Sequence, residues 1–326
     1  MSAVTISTGS RLHFGLLTHR PESGREFGGV GVMIDSPGWT ILIETRRAGD
    51  DSIVGLSADA AAVSPQAEQR IRSILARCQD NSPALRCPVR VFVGSAIPSH
   101  RGLGSGTQLS LAVARCLDIL LAGGQRPANE LAQLSGRGQR SAVGTWGFEY
   151  GGCILEGGRT EHDQVGRLIS HLPFPEQWRF LLITPRSGAG LSGGDEKSAF
   201  ERLPGMSTEL TGELCRIAVM QLLPAIQAVD FDAAADGLDR YGQLAGEYFI
   251  PVQNGVFLHP AMNALSEKLR ASGVIGFAQT SWGPTCFVLC RDKTMALDVR
   301  NTVRQTPGSD ELRLEIAAPR NSGAMR

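Results

Sequence analysis

A glycine-rich loop at residues 98–108 is the stretch of the sequence best suited to bind an anion. It contains Gly102, Gly104 and Gly106, which carry no side chain to keep an anion away from the backbone N–H groups. It lacks the closing Gly-Lys-Ser/Thr of the Walker loop and does not follow the Gly-x-Gly-x-x-Gly dinucleotide pattern. We predict a phosphate site here, with an ordinary glycine turn and serine cap as the alternative. The residues predicted to bind are Gly102, Leu103, Gly104, Ser105, Gly106, Thr107 and Gln108.

A strand and a helix are predicted to hold this loop. The strand is indicated by the alternation of Val89, Val91 and Val93 with more polar residues. The helix is indicated by apolar residues at spacings of three and four from Leu109 to Leu120. The loop amides would therefore face an anion at the helix N-terminus, where the helix dipole favours negative charge.

Three other stretches carry candidate functional residues, each with a structural alternative. Arg11 and His13 stand in the run RLHFGLL and are predicted to face a substrate, although His13 could be a hydrogen-bonded structural histidine. A second glycine run, 186–196, is predicted to bind an anion, or else only leads into a helix. Its candidate residues are Arg186, Ser192 and Gly193. In the turn SWGPT, Trp282 could wall an aromatic ring or belong to the core.

Residues 136–152 form a further glycine-rich stretch that mixes glycine with aromatic and basic residues. This composition is typical of a ligand-facing loop, and a mobile surface loop is the alternative. We expect no regular secondary structure there.

Composition excludes several classes of function. The chain has 326 residues with 32 basic and 32 acidic side chains, so nothing indicates a nucleic-acid footprint or a polybasic membrane patch. Its seven cysteines include no Cys-x-x-Cys pair, which is typical of free thiols in a reducing compartment. No signal-peptide core or membrane-span run is present in the sequence, so we expect a cytoplasmic protein.

The order of elements predicts an α+β fold in two parts, residues 1–172 and 173–326. Strands are predicted at 3–8, 29–35 and 40–44, and Ser64-Pro65 should open a helix with buried Ile71, Ile74, Leu75 and Cys78. In the second part, helices are expected at 195–202, 207–229, 231–248, 260–272 and 293–305, and strands at 179–184, 274–279, 285–290 and 311–316. Pro224 should kink its helix, and the segment after Pro319 should be mobile.

Together these motifs resemble the GHMP kinase superfamily. Pro98 and the run Gly-Leu-Gly-Ser-Gly match its phosphate loop, residues 141–152 match its second motif, and Ser281, Trp282 and Gly283 match its C-terminal glycine turn. The resemblance implies a two-subdomain fold, with an N-terminal part like domain 2 of ribosomal protein S5 and a ferredoxin-like C-terminal part. It also implies that Gly144 and Thr145 lie at the substrate.

One departure from the kinase pattern removes a catalytic group. The position of the aspartate that serves many of these kinases as a base falls on Gly144. Glycine cannot accept a proton from a substrate hydroxyl, so the resemblance implies a phosphate site without the kinase base.

The runs RLHFGLL, GLSGGDE and SWGPT are similar to those of β-ribofuranosylaminobenzene 5'-phosphate synthases, a branch of this superfamily. That similarity implies that phosphoribosyl pyrophosphate and 4-aminobenzoate condense with loss of CO2 and pyrophosphate, in the synthesis of tetrahydromethanopterin-type one-carbon carriers. No ATP is expected. Mg2+ is implied as a cofactor, with Asp35 and Glu196 as candidate ligands or else only capping groups, and a homodimer is expected. Arg11 and His13 are the residues predicted to act in catalysis.

Two other functions remain open at this stage. A small-molecule kinase could bind ATP at the same loop and use another base. A phosphometabolite-binding protein without catalytic activity would use the loop for binding alone.

Overall fold

The computed structural model describes residues 2–22, 24–55, 65–187, 193–253 and 255–326. Its strands are β1 (Ala3–Thr18), β2 (Phe27–Thr45), β3 (Ser52–Gly55), β4 (Val89–Ser95), β5 (Cys153–Glu156), β6 (Leu168–Leu172), β7 (Arg179–Pro185), β8 (Phe277–Gln279), β9 (Cys286–Cys290) and β10 (Leu312–Ala317). Its α-helices are α1 (Pro65–Asn81), α2 (Ser105–Leu121), α3 (Ala128–Leu134), α4 (Val143–Tyr150), α5 (Gly193–Arg202), α6 (Thr208–Ile217), α7 (Leu223–Ala228), α8 (Phe231–Gln253), α9 (Pro260–Ala271) and α10 (Lys293–Arg304).

The N-terminal sheet is built on β2. This strand forms a long antiparallel hairpin with β1, and its other edge pairs with β4 at one end and β5 at the other. The sequence predicts two strands at 29–35 and 40–44, whereas the structure has one continuous strand across both ranges. β1 keeps pairing with β2 across the Ser36-Pro37 segment through a register shift between Thr8 and Ser10. On β4, Val89, Val91 and Val93 are buried, as their alternation predicts.

Helix α2 is the central helix of the N-terminal part. It contacts β1, β2, α1, α3 and α4, and most of its side chains are buried. The predicted apolar face of α1 is confirmed, because Ile71, Ile74, Leu75 and Cys78 are its buried residues.

The expectation of a loop throughout 136–152 is wrong, because residues 143–150 form α4. The glycines there allow close packing and do not loosen the chain. A β-carbon at Gly147 would lie 2.5 Å from the sulfur of Met33, so glycine lets α4 approach β2 without moving the Met33 side chain.

The C-terminal sheet has the strand order β10-β7-β9-β8, and all its pairs are antiparallel. Helices α5 to α9 connect β7 to β8, and α10 connects β9 to β10. This is the ferredoxin-like arrangement of strands and crossover helices, enlarged by extra helices in its first connection. The helix predicted at 207–229 changes to a π-turn at Ala218–Leu222, just before Pro224, whose missing N–H cannot continue the α-helical ladder.

The segment after Pro319 is not mobile, so that expectation is also wrong. The N–H of Arg320 donates to the carbonyl of Met33 (2.8 Å), and Ser7 and Met325 exchange two backbone hydrogen bonds of 2.8 and 2.9 Å. The expectation rested on the lack of apolar residues, but this segment is held by backbone hydrogen bonds and by the half-buried Arg320 guanidinium.

Several remaining features bear on organisation. The seven cysteines are free, and burial raises the pKa of Cys78, Cys116 and Cys153 to about 12. None of the helices in the described ranges combines the length and apolar character needed to cross a bilayer. The main apolar core runs through both parts of the chain, and a boundary near residue 172 stays a prediction.

Candidate active site

A cavity of about 510 Å³ opens where the two parts of the chain meet. One side is formed by β1, the glycine loop and residues 136–141, and the other by α5, α8 and the turn between β8 and β9. Its size falls within the range of small-molecule sites. The cavity therefore brings together stretches that lie far apart in the sequence.

The glycine loop adopts a conformation that only glycine tolerates at two positions. Gly102 and Gly104 both have a φ of 75°, and a β-carbon at Gly102 would lie 2.2 Å from the carbonyl oxygen of Thr280. Thr280 also donates its hydroxyl hydrogen to the Gly102 carbonyl at 2.8 Å. The loop is thus clamped by the C-terminal part, in a shape that exposes the N-terminus of α2.

The first amides of α2 are available to an anion. Within the described ranges, the N–H groups of Ser105 and Gly106 donate no hydrogen bond, as is normal in the first turn of a helix. Both residues line the cavity. The predicted phosphate site therefore has the free donors that it requires.

Two arginines flank these amides. Arg11 donates to the Gly102 carbonyl at 2.9 Å, and its side chain runs alongside Gly104. Arg137 donates from Nε to the Ser110 hydroxyl at 2.9 Å, and its guanidinium lies over Gly106. Two cations beside a helix N-terminus make a site for a strongly charged anion.

The charged side chains that the structure describes in the cavity lining are all cationic. Besides Arg11 and Arg137 the cavity is lined by Arg70, Arg101 and Arg140, and none of the lining residues that the structure describes is an aspartate or glutamate. Arg101 also ties the loop to the carbonyl of Pro185 at the end of β7 (2.9 Å). Such a lining favours a ligand with several negative charges.

His13 lines the cavity as a neutral, hydrogen-bonded imidazole. Its Nδ1 accepts the N–H of Gly15 (3.2 Å), so Nε2 carries the proton and faces the hydroxyl of Ser141 (2.8 Å). Burial, and secondly the charge of Arg11, hold the pKa of His13 well below its usual value. Both ring nitrogens have partners, so the geometry favours a positioning role for His13 over acid catalysis.

The opposite side of the cavity is aromatic. The ring of Trp282 packs edge-on against Phe200 at 4.9 Å between centroids and lies tilted against Phe249 at 4.7 Å. The indole is only 7 % exposed, so Trp282 belongs to the core and also forms part of the cavity wall. The guanidinium of Arg140 lies 5.4 Å from the Phe200 ring centroid and joins the aromatic side to the cationic side.

The predicted residues of the three motifs divide into cavity-lining and supporting ones. Ser105 lines the cavity through its backbone, because its hydroxyl donates to the carbonyl of Ile97 at 3.0 Å. Gln108 lies behind the loop and donates to the Gly144 carbonyl at 2.8 Å. Gly144 and Thr145 lie in α4 and do not line the cavity. The predicted residues that do are Arg11, His13, Gly102, Leu103, Gly104, Ser105, Gly106, Thr107, Ser281, Trp282 and Gly283.

Of the second predicted anion loop, the described residue Arg186 does not line the cavity. The Arg186 side chain donates to the Asp310 carbonyl at the surface (3.1 Å). Gly193 begins α5, whereas Ser192 lies outside the described residues. A role of these three residues in binding stays a prediction.

The described residues do not form a magnesium site. Asp35 accepts the N–H of Ala318 (2.9 Å) and does not line the cavity, and the side chain of Glu196 lies outside the described part. Among the described residues, no cluster of histidine, cysteine and carboxylate side chains could hold a metal ion. A metal held by protein carboxylates therefore does not fit the part of the cavity that is described.

Four of the cavity residues that the sequence did not predict bear directly on its two-sided character. Arg137 and Arg140 stand in the stretch that its composition marked as ligand-facing, but α4 was not predicted and nothing singled them out. Phe200 and Phe249 had no signal to separate them from ordinary core aromatics.

Comparison with known proteins agrees with this arrangement. Residues 69–151 match the model for the GHMP kinase N-terminal domain, which spans the glycine loop, α2 and α4. The chain is 28% identical to the β-ribofuranosylphenol 5'-phosphate synthase of Methanothermobacter thermautotrophicus, over 98% of this chain and 97% of that protein. It is 25% identical to the protein of the same name in Methanocaldococcus jannaschii, over 91% of this chain and 92% of that protein.

Solved structures share the fold at low sequence identity. Homoserine kinase from Cytophaga hutchinsonii has a TM-score of 0.65 at 14% identity, covering 100% of this chain and 97% of that one. Mevalonate diphosphate decarboxylase from Staphylococcus aureus has a TM-score of 0.69 at 13% identity, covering 99% and 97%. The similarity to synthases inferred from the motifs is confirmed, the chain has the GHMP kinase fold, and residues 69–151 match the GHMP kinase N-terminal domain.

Proposed function

We propose that this protein is a ribofuranosyl-arene 5'-phosphate synthase, which joins phosphoribosyl pyrophosphate to a 4-substituted benzoate and releases CO2 and pyrophosphate. The observation that carries the proposal is the two-sided cavity. Arg11, Arg137 and the α2 N-terminus suit phosphate groups, and the wall of Phe200, Phe249 and Trp282 suits an aromatic ring. The relatives are named for a product that joins a ribose phosphate to an aromatic ring.

The chemistry places simple demands on these residues. The bond from the ribose C1 to pyrophosphate breaks, and the electron pair leaves with pyrophosphate. The ring carbon that bears the carboxylate bonds to C1, and the C–CO2 bond then breaks and returns its electron pair to the ring. The protein must hold both substrates in contact and keep water out, so positioning and electrostatics provide most of the rate.

The separation of an arginine-lined side from an aromatic side suits a reaction in which the benzoate carboxylate leaves as CO2. An arginine that paired tightly with it before reaction would stabilise the anion and oppose the loss of CO2. We propose that the arginines serve the phosphates and that the benzoate ring lies against the aromatic wall. Arg140, beside the Phe200 ring, then lies at the junction where pyrophosphate departs.

The para substituent of the benzoate is the open point of specificity. We infer an electron-donating group, since it must push electron density to the attacked ring carbon. The sequence indicated an amino group, and the relatives are named for a phenol, which carries a hydroxyl. Both 4-aminobenzoate and 4-hydroxybenzoate belong in the assay.

The metal, the oligomeric state and the cellular location complete the proposed function. We propose that Mg2+ is held by the oxygens of pyrophosphate, its preferred type of ligand, because the described lining offers no carboxylate. We also propose a homodimer that acts in the cytoplasm on small molecules alone, in one-carbon carrier synthesis.

A kinase is the weaker alternative. The position that aligns with the kinase aspartate is Gly144, and no carboxylate among the described residues lines the cavity to replace it. The experiment is therefore to incubate the protein with phosphoribosyl pyrophosphate and each carboxyl-labelled benzoate. Labelled CO2 with a C-ribosylated product supports the synthase, whereas ADP formed from ATP and an alcohol acceptor would establish the kinase.

The division of the cavity predicts opposite kinetic effects of two variants. Arg137→Gln should raise the KM for phosphoribosyl pyrophosphate about ten- to hundredfold and leave the KM for the benzoate within a factor of about two, since a charge-assisted hydrogen bond contributes ~1.5–3 kcal/mol, at about 1.4 kcal/mol per tenfold. Phe249→Ala should raise the KM for the benzoate and leave the KM for phosphoribosyl pyrophosphate nearly unchanged. Arg313→Gln, at an exposed arginine of β10 outside the cavity, is the control. If Arg137→Gln raises only the benzoate KM, the division is wrong.

A further inference from the structure

A buried carboxylate lies directly behind the arginine-bearing wall of the cavity. Glu156, at the end of β5, has no exposed surface and does not line the cavity. Its Oε1 accepts the N–H of Ala142 (3.1 Å), and its Oε2 accepts the N–H of Gly158 (2.8 Å). The hydroxyl of Ser141 also faces this carboxylate and helps to lower the carboxyl pKa.

The network continues to the cavity surface. Ser141 lines the cavity and accepts hydrogen bonds from Nε2 of His13 (2.8 Å) and from the N–H of Val143 (3.3 Å). Ser141 and Ala142 end the segment that carries Arg137 and Arg140 and lead into α4. One carboxylate thus holds the end of the arginine segment and the start of α4 at Ala142, next to the Ser141 hydroxyl that contacts the imidazole on β1.

We propose that Glu156 is a positioning residue for anion binding, holding the segment 136–142 so that Arg137 and Arg140 face the pyrophosphate group. This inference takes its ligand, pyrophosphate, from the proposed function. Glu156 would act only through Ser141 and Ala142 and would touch no substrate.

The charge of Glu156 makes the proposal sharply testable. A negative charge beside a cationic site weakens anion binding by Coulomb repulsion, so removal of that charge alone should tighten binding. Loss of positioning should do the opposite, because the amide side chain of the Glu156→Gln variant would present an NH2 group to a backbone N–H that needs an acceptor. The two effects have opposite signs.

The experiment measures the Kd of inorganic pyrophosphate by calorimetry at pH 7.5 for the wild-type chain and Glu156→Gln. We expect a Kd about tenfold higher in the variant, from the unpaired buried donor. The control is Glu149→Gln, which alters a carboxylate of α4 that holds Ala128 and Arg115 away from the cavity and should leave the Kd unchanged. An equal or lower Kd in Glu156→Gln overturns the proposal.

The pH dependence of the ratio of the two Kd values is a second readout. Burial raises the pKa of Glu156, while hydrogen bonds from Ala142, Gly158 and Ser141 and the charge of Arg25 oppose the rise. The other titratable groups that face it are His13, through Ser141, and Tyr241. As the pH falls, the wild-type carboxyl gains a proton and resembles the variant, so the ratio should fall toward one. A ratio that rises as the pH falls would contradict the positioning role.

If Glu156→Gln does not fold, Ser141→Ala takes its place, because it removes the link and leaves the carboxylate. It should also raise the pyrophosphate Kd, and an unchanged Kd overturns the proposal. Failure of the proposed function is separate, since it appears as a lack of CO2 release by the wild-type chain. Pyrophosphate binding that depends on Glu156 would stand without that activity.

Discussion

At the scale of single residues, Gly106 and Arg137 form one unit. A β-carbon at position 106 would lie 3.2 Å from a terminal nitrogen of Arg137, and the backbone there is helical. Gly106→Ala should therefore fold normally and gain stability, up to ~1 kcal/mol, because alanine favours the helix. It should also displace the guanidinium and raise the pyrophosphate Kd several-fold. Urea unfolding and calorimetry on the same sample measure both effects.

Gly212→Ala is the matched control. Gly212 is also helical, in α6, and no described atom lies within 4 Å of the position that its β-carbon would take, so only stability should change. If both variants bind pyrophosphate like the wild-type chain, Arg137 does not contribute to the anion site.

The residues of the glycine loop were predictable because backbone chemistry dictates their type. A positive φ and free amides require glycine, and the sequence shows three glycines in five positions. Side-chain roles were less predictable. The hydroxyl of Ser105 and the amide of Gln108 could each have faced a ligand, and only the packing of α2 on its neighbours turns both away from the cavity.

At the scale of elements, α2, α4 and β1 meet at Gly144. A β-carbon there would contact the Thr107 methyl at 3.4 Å and the Cγ of Arg11 at 3.7 Å, both ordinary distances. Gly144→Asp should therefore fold and place a carboxylate beside the Arg11 side chain. The pair would compete with the anion, so we expect a pyrophosphate Kd raised tenfold or more, at about 1.4 kcal/mol per tenfold, and no kinase activity.

Gly144→Ala separates charge from size at this position. Alanine fits the same space without a carboxylate, and its Kd should stay within about twofold of the wild-type value. If alanine weakens binding as much as aspartate does, the effect is steric and Arg11 is not involved.

Helices and strands were predicted correctly where apolar residues recur at a regular spacing. The prediction failed where glycine, which is typical of loops, instead allows a helix to pack closely. The faces of α1 and β4 followed from their spacing. Helix α4 was missed because its glycines are typical of a loop, whereas Gly147 allows close contact with Met33. Long-range packing of this kind has no local signal.

At the scale of the whole molecule, buried histidines should make stability depend on pH. Burial is the first cause that lowers the pKa of His13 and His19. Below about pH 6.5 the unfolded chain binds protons that the native histidines do not, so the free energy of unfolding should decrease as the pH falls. Glu156, with a raised pKa, has the opposite effect above about pH 4.5, but it is one group against three, because the pKa of His171 is also lowered.

Urea unfolding at pH 7.5 and 5.5 measures this dependence. His19→Gln should reduce the difference between the two free energies, and His162→Gln, at an exposed histidine, should not. A wild-type chain more stable at pH 5.5 than at pH 7.5 would contradict the expectation.

The segment after Pro319 should contribute measurably to stability. Arg320 donates to the carbonyls of Ser7 (3.1 Å) and Gly323 (3.0 Å), and Arg320→Ala should lower the free energy of unfolding by about 1–3 kcal/mol. Arg313→Ala, which breaks an exposed pair with Glu315, should cost less than about 1 kcal/mol. Equal effects of the two would mean that the half-buried position of Arg320 adds nothing.

The pairing of Met325 with Ser7 has a consequence for biosynthesis. A ribosome makes β1 first and this segment about three hundred residues later, so the nascent N-terminal sheet waits with an unpaired edge. Asp35 also lacks its hydrogen-bond partner until then, because its N–H and its carboxylate both pair with the backbone of Ala318. The N-terminal sheet is therefore completed only after the C-terminal segment has been made, and the edge of β1 stays exposed until then.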